Sequence, residues 1–364
     1  MPVLRPKALI ENRVDAIRRY HESAGTDKAE LDLSGGIDSA VMACLLVKAL
    51  GPENIILVHS RFKTSGDQTA RARRLAKGLG VPLIDFDGTE MFTALMVSMK
   101  EAIEEAYGHE KMCEVAESNV NNPVILGSIR SCLRAPIGRG FNRMLGGGIR
   151  HGTGNECEDR FLRFYQKGGD GEVDTNPIEM LSKTEVYQLA FALAQDFGGE
   201  VKEALIETIK AVPSPDLWGN GNGHTDEAEL KNWLGVPFTY GRINPETGEI
   251  LSIGTIERVA RFLDETDQGD GDTGETYNNL FTFYRTPERV GEYVDFVLPE
   301  HPHIFMGMTE QTTPKDLLLA ARKAEAATRH KSNTNIPTLG TRNRLIDAGI
   351  LTNNLKLTHK GKRA

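Results

Sequence analysis

The chain reads Leu31-Asp32-Leu33-Ser34-Gly35-Gly36-Ile37-Asp38-Ser39 before running into the apolar segment Ala40–Leu50, and this junction restricts the fold more than any other stretch. Two glycines free of side-chain bulk, followed at once by a helix pattern, leave backbone N–H groups at the positive end of a helix dipole. Such a junction seats an anion. The lysine-bearing phosphate loop G-x-x-x-x-G-K-[ST] does not fit here, and neither does G-x-G-x-x-G.

The neighbouring segments predict what surrounds this seat. Val14, Ile17 and Tyr20 at helical spacing predict a helix over Glu11–Ser23, stopped by Gly25. Strands are expected at Glu30–Leu33, Asn54–Ser60 and Val81–Asp87, alternating with helices at Ser39–Leu50 and Gln68–Leu79. This rhythm predicts a doubly wound, mostly parallel α/β sheet with helices on both faces and right-handed crossovers. Its ligand then lies at the carboxyl ends of the strands, where the glycine pair falls.

Composition narrows the class. A chain of 364 residues, 39% hydrophobic and 26% charged, can bury one large core or a core with an appendage. The net charge of −8 argues against a broad nucleic-acid-binding face. No run of about 18 apolar residues is present and Met1–Lys7 lacks an apolar signal region, so no membrane partner and a cytoplasmic location are expected. Cys44, Cys113, Cys132 and Cys157 form no C-x-x-C, which fits reduced thiols.

The loop S-G-G-x-D-S resembles the PP-loop of the N-type ATP pyrophosphatases, which cleave ATP to AMP and pyrophosphate. Further blocks narrow the resemblance. G-S-I-R-S-C-L-R from Gly127, H-G-T-G-N-E-C-E-D from His151 and K-G-G-D-G-E-V-D-T-N-P-I from Lys167 are similar to the ammonia-dependent NAD synthetases. So are L-S-K-T-E-V from Leu181, Pro213–Trp218, His224–Leu230 and the tail Arg329-His330-Lys331 with Pro337.

The resemblance implies a Rossmann-like adenine nucleotide alpha hydrolase fold and a definite reaction. The carboxylate of deamido-NAD attacks the α-phosphate of ATP, pyrophosphate leaves, and ammonia displaces AMP from the acyl-adenylate to give NAD. By match to family positions, ATP is bound by Ser34, Gly35, Gly36, Asp38, Ser39, Thr153, Lys183 and Ser214. Mg²⁺ is held by Asp38 and Glu158, and the dinucleotide by Lys167, Asp174, His330 and Lys331. Asp38, Lys183 and Asp174 are the catalytic candidates. In the family the His-Lys tail reaches the dinucleotide across a homodimer.

One departure bears on the substrate. Cys132 stands where an arginine of the family contacts deamido-NAD, and a thiol cannot replace a guanidinium fork. Arg134, Arg139 or Arg143 is expected to supply the charge from a locally remodelled arginine- and glycine-rich stretch, with Arg134 named as a dinucleotide ligand. Asp32 also stands where the family tends to a small residue, and the sequence offers no account of it.

The remaining features are read more plainly. Met91–Tyr107 is an amphipathic helix for the core or a dimer interface. His109 and Cys113 share a helix surface, and His301 and His303 flank Pro302 in a loop, where they could chelate only if they faced the same way. Asp264–Glu275 is a solvated acidic loop without the calcium-loop register, and Tyr277–Pro299 is an aromatic insertion. Pro314 opens a helix leading to His330, and Thr341–Ala364 is polar and basic, and partly mobile at its end.

Residues 1–265 are taken as the synthetase domain, 266–312 as an insertion, and 313–364 as a helix and tail completing the substrate site. About 30 residues precede the loop, too few for a glutaminase, so free ammonia is the expected donor. The rival readings are a tRNA-base-modifying PP-loop enzyme and a non-catalytic nucleotide-binding homologue.

Overall fold

The central strand β1 (Ala29–Asp32) has two chemically unlike faces, because successive strand side chains point to opposite sides. Ala29 and Leu31 enter the main apolar core, whereas Glu30 and Asp32 meet the guanidinium of Arg150. The computed structural model describes residues 5–352 except 63, 122, 161, 215–224, 267–290, 292–294, 296–297, 309–311, 329–330 and 332–340. With β2 (Ile55–Arg61), β3 (Leu83–Asp87) and β4 (Ile149–His151), β1 forms a sheet in the order β3-β2-β1-β4. Every pairing in it is parallel, Leu31 standing opposite Leu57 on one side and His151 on the other.

Helices cover both faces. On the Leu31 side α1 (Pro6–Ala24), α2 (Ile37–Leu50), α3 (Gly66–Leu79), α7 (Lys183–Phe197) and α8 (Gly199–Lys210) share one apolar cluster with the sheet. Ser39–Leu46 of α2 are buried without interruption, the pattern of a helix enclosed on nearly all sides. The opposite face is crossed by α6 (Pro123–Met144). There Gly138 leaves room for the Arg150–Glu30 pair: a Cβ at that position would lie 2.0 Å from Nη1 of Arg150 and 2.7 Å from Oε1 of Glu30. The expected remodelled loop is thus helix through Met144, with Pro136 inside it and only residues 145–148 as connection.

A second cluster is built by α9 (Asp226–Leu234), α10 (Thr255–Thr266) and the helices Pro302–Phe305 and Pro314–Thr328. Ile256, Val259, Phe262 and Leu263 of α10 meet Ile304, Leu317 and Leu318 there, so it draws on residues to either side of 265 and 312. A short antiparallel pair, β5 (Arg242–Ile243) and β6 (Ile250–Ser252), lies between α9 and α10 in sequence.

One expectation needs correction and two are sharpened. The helix α4 (Thr89–Tyr107), followed by α5 (His109–Asn121), buries only Phe92, and Met91, Val97 and Met99 are 40%, 51% and 40% exposed, so of its two expected roles the single chain does not supply the core one. Asp264 and Glu265 belong to the last turn of α10 rather than to a loop, Asp264 being tied to Arg261. Arg342–Asp347 is a helix with Arg342 and Leu345 buried, because Arg342 finds the Glu185 carboxylate at 2.6 and 2.7 Å. The rest of the acidic stretch, Phe281, Phe283, Tyr284, Tyr293 and Phe296 lie outside the described residues, as do His224, Arg329, His330 and Pro337.

Candidate active site

The glycine pair forms its cradle at the carboxyl end of β1. Gly35 has φ +85°, and a Cβ there would lie 2.2 Å from the backbone oxygen of Gln68, so no other residue fits. Gly36 caps α2, and its N–H donates to Ser34 Oγ at 3.2 Å. The Ser39 hydroxyl is 3.0 Å from that of Ser34 and donates to the Gly36 carbonyl at 3.1 Å. Arg71 Nε on α3 donates to the Gly35 carbonyl at 2.9 Å. The loop is held from both sides while the first amides of α2 have no carbonyl within the helix to bond.

Three segments converge beside it. Ser182 begins α7 with a capping box to Glu185, which points the first helical side chain, Lys183, toward α2. Lys183 Nζ lies 2.6 Å from Asp38 Oδ2 and 2.8 Å from Glu158 Oε1. Asn155 donates to the other Asp38 oxygen at 3.0 Å, and Tyr240 donates its hydroxyl to Glu158 Oε1 at 3.0 Å, its ring centroid 5.1 Å from Lys183 Nζ.

Burial disfavours charge on Lys183, but Asp38 and Glu158 outweigh it and hold the ammonium well above the usual lysine range. Burial, with Glu158 adding to it, raises the Asp38 carboxyl although Lys183 opposes the change. Asp226 is pushed up to about 8 by burial and then by Glu158. Three carboxylates thus surround one ammonium.

Thr153, Ser214 and Arg134 line the same cavity as Ser34–Asp38, Glu158 and Lys183. Asp174 does not. Its Oδ2 accepts the Arg150 backbone N–H at 2.8 Å, its Oδ1 faces Arg139 Nη2 at 2.9 Å, and it lines a separate hollow with Tyr20 and Gly146–Gly148. Lys167 is exposed on the neighbouring turn, whose carbonyl faces the Cys132 thiol at 3.9 Å. Lys331 Nζ donates to the Arg163 carbonyl at 2.9 Å and sits over the Tyr165 ring of its own chain.

Asn155, Asp226 and Tyr240 were not singled out as site residues from the sequence. Asn155 lies inside the G-T-G-N-E-C-E block and Asp226 inside the His224–Leu230 block, so their motifs carried a signal. Tyr240 sits in no such motif.

A glycine cradle at the carboxyl ends of parallel strands, with a lysine and carboxylates at its edge, defines a nucleotide-binding enzyme of the α/β class. Residues 9–241 match the family model described as NAD synthase. The chain belongs to the NAD synthase family. It is 34% identical to the NH(3)-dependent NAD(+) synthetase of Methanosarcina acetivorans, over 60% of this chain and 75% of that one. It is 31% identical to the enzyme of that name from Methanococcoides burtonii, over 71% of this chain and 84% of that one.

Two solved structures share the fold. The NMN synthetase of Francisella tularensis has a TM-score of 0.53 at 21% identity, covering 84% of this chain and 99% of that one. A glutamine-dependent NAD(+) synthetase from Cytophaga hutchinsonii has a TM-score of 0.54 at 14% identity, covering 92% and 50%. The activity is that of an NAD synthetase, a ligase. No helix among the described residues is long and apolar enough to cross a membrane.

Proposed function

We propose that the cavity beside Gly35 and Gly36 activates the nicotinate carboxylate of deamido-NAD with ATP and passes it to ammonia. The observation that carries this reading is the Lys183 ammonium held between Asp38 and Glu158 in the cavity lined by Ser34–Asp38. A carboxylate oxygen of deamido-NAD bonds to the α-phosphorus as the bond to pyrophosphate breaks. Ammonia then bonds to the acyl carbon, the bond to AMP breaks, and the nitrogen releases a proton to solvent.

The amides of Gly35, Gly36 and the first turn of α2 hold the leaving pyrophosphate, with hydroxyls from Ser34, Ser39, Thr153 and Ser214. Lys183 stabilises negative charge gathering on the phosphoryl oxygens. Arg134, Lys167, Asp174, His330 and Lys331 hold the dinucleotide. The residues fit Mg²⁺: Asp38 and Glu158 are hard oxygen donors, and the raised proton affinity of Asp38 and Asp226 marks a centre with more acidic groups than Lys183 alone keeps ionised. Mg²⁺ bound there draws negative charge from the phosphoryl oxygens of the substrate.

The same reading keeps residues 1–265 as the catalytic unit and 313–364 as the part that completes the substrate site. It places the enzyme in the cytoplasm as a homodimer, supported by four free cysteines and the exposed Met91, Val97 and Met99 of α4. A tRNA-base-modifying activity and a non-catalytic role are not favoured, since neither accounts for the Lys183 centre. The test is to measure AMP and pyrophosphate with ATP and ammonium, with and without deamido-NAD. Release only with the dinucleotide is expected. Release without it, or NAD formation that runs efficiently on glutamine, overturns the reading.

A further inference from the structure

The second apolar cluster carries a group of side chains that the synthetase reaction does not use. Glu265 ends α10, and His301 and His303 stand on either side of Pro302, 36 and 38 residues further on. The chain folds so that both imidazoles turn to one carboxylate oxygen. His301 Nδ1 is 3.2 Å from Glu265 Oε2 and His303 Nε2 is 3.0 Å from it. The three ligand atoms lie within 4.8 Å of one another. In place of the plain loop preferred from the sequence, the chain caps the short helix Pro302–Phe305 with His301 and turns both imidazoles the same way.

We propose that Glu265, His301 and His303 form a site for one zinc-like divalent cation, with the fourth position left to water. Two imidazole nitrogens and one carboxylate oxygen are a donor set that Zn²⁺ takes, and metal–ligand bonds of about 2.0–2.2 Å put tetrahedral neighbours roughly 3.3 Å apart. The observed separations already approach that spacing. Pro302 fixes the backbone between the histidines, which lowers the entropy lost on chelation. The Phe262 ring stands nearly edge-on to His301, with centroids 5.9 Å apart at 78°, and limits its rotation.

Glu265 and His301 are 22% and 20% exposed and His303 is 42%, so the group is anchored yet open to solvent for the fourth ligand. It stands on helices of the second cluster and shares no ligand atom with Asp38 or Glu158. None of the residues of the Lys183 centre, nor ATP, is needed for it. A bound cation ties the end of α10 to the start of the helix Pro302–Phe305 and so closes the connection between them with ligand bonds.

The competing account is a pair of hydrogen bonds: two neutral imidazoles donating to one carboxylate oxygen, which has lone pairs for both. Metal titration separates the two. The full chain, stripped with chelator and kept in excess Mg²⁺ to occupy oxygen sites, is titrated with Zn²⁺ calorimetrically and with Co²⁺ by visible absorption. One Zn²⁺ per chain and the intense bands of tetrahedral Co²⁺ are expected.

His301→Ala and His303→Ala should each weaken Zn²⁺ binding at least about 100-fold, the loss of one of three protein ligands. Glu265→Gln, which keeps the shape and a hydrogen-bonding oxygen, should do the same while leaving the metal-free melting temperature within a few degrees. Cys113→Ser, which removes the exposed His109–Cys113 pair as an alternative, should bind as the parent does. Absence of stoichiometric Zn²⁺ binding, or binding undiminished in the double variant His301→Ala/His303→Ala, overturns the proposal.

Discussion

Lys183 Nζ lies 2.6 Å from Oδ2 of Asp38, although 145 residues separate them in the chain. The contact joins the first turns of α2 and α7, so the two helix N-termini that face the cavity are locked by the ion pair that works in it. The Lys183 stem is buried, and only 3% of the side chain is exposed. Its ammonium therefore keeps its place without a ligand, a preorganised charge for the phosphoryl oxygens.

Lys183→Met is expected to lower kcat by at least about 10²–10³-fold, the scale of losing one preorganised donor to transition-state charge. Initial rates of pyrophosphate release at saturating ATP and deamido-NAD measure this. The far-ultraviolet circular dichroism should match the parent. A folded variant retaining more than a tenth of the rate contradicts the assigned role.

Asp32, unexplained in the sequence, has a structural partner. With Glu30 it brackets the guanidinium of Arg150, and the fully buried Glu30 is pushed up to about 7 by burial and then by Asp32. Arg150→Met removes the guanidinium that both carboxylates bond and should cost about 3–5 kcal/mol. Urea denaturation of the two proteins gives the difference. A loss below about 1 kcal/mol would falsify the cluster's role in holding β1 to β4.

The apolar runs and their glycine stops revealed β1–β3, α2 and α3 to within about two residues, because those signals are local, whereas α1 begins at Pro6 rather than Glu11 and the short β4 (Ile149–His151) has no such run. Lys183, Asp38 and Glu158 were legible through motif spacing. The ion clusters were not. Glu30 and Arg150, or Glu185 and Arg342, are 120 and 157 residues apart and carry no local pattern that announces a partner. The arginine- and glycine-rich stretch read as a loop for a related reason: Gly138 serves close approach to Arg150, not a turn, and only the packed structure distinguishes the two uses. His301 and His303 required the position of Glu265, which belongs to another helix.

Arg342 shows the consequence for the C-terminal segment. It is 3% exposed and places two donors on the fully buried Glu185, the same glutamate that closes the capping box of α7. Glu185 is held below the usual glutamate range: burial raises it, but Arg342 outweighs burial. Arg342→Met leaves that carboxylate without its cation and should cost about 3–5 kcal/mol. Protection of residues 342–351 and of the first turn of α7 from amide hydrogen exchange should fall together. Loss confined to residues 342–351 means that the tail does not support the site.

The paired histidines set an acid limb. His21 Nε2 and His151 Nε2 are 2.9 Å apart, and burial, with His21 adding to it, pushes His151 down to about 3. The folded chain then binds fewer protons at this group than the unfolded chain between the usual histidine value of about 6.5 and 3. Stability from His151 is present above 6.5 and is lost as pH falls through that window, by up to about 1.4 kcal/mol per pH unit. Glu30 acts in the opposite sense between 4.5 and about 7, since folding raises its proton affinity. His151→Gln isolates the histidine: its denaturation midpoint should fall less steeply than the parent's from pH 6.5 to 5. Equal slopes remove His151 as the cause.

The position of Cys132 makes the last prediction one about substrate binding. Of the three arginines able to replace a guanidinium there, Arg139 is engaged with Asp174 at 2.9 Å and with Glu172 at 3.6 Å, and Arg143 is exposed near the end of α6. Arg134 is the one that lines the cavity with Ser34 and Lys183, close enough to His59 to help lower its proton affinity after burial. Arg134→Ala should therefore raise the KM for deamido-NAD about tenfold or more, the loss of roughly 1.5–3 kcal/mol from a hydrogen bond to a charged group, with a smaller change in kcat. Arg143→Ala should leave both constants near the parent values. Arg139→Ala should act through Asp174, changing kcat and KM together because Asp174 loses the cation that orients it. If Arg143→Ala raises the KM and Arg134→Ala does not, the charge comes from the end of α6, and the dinucleotide lies farther from the phosphate cradle than the position of Arg134 implies.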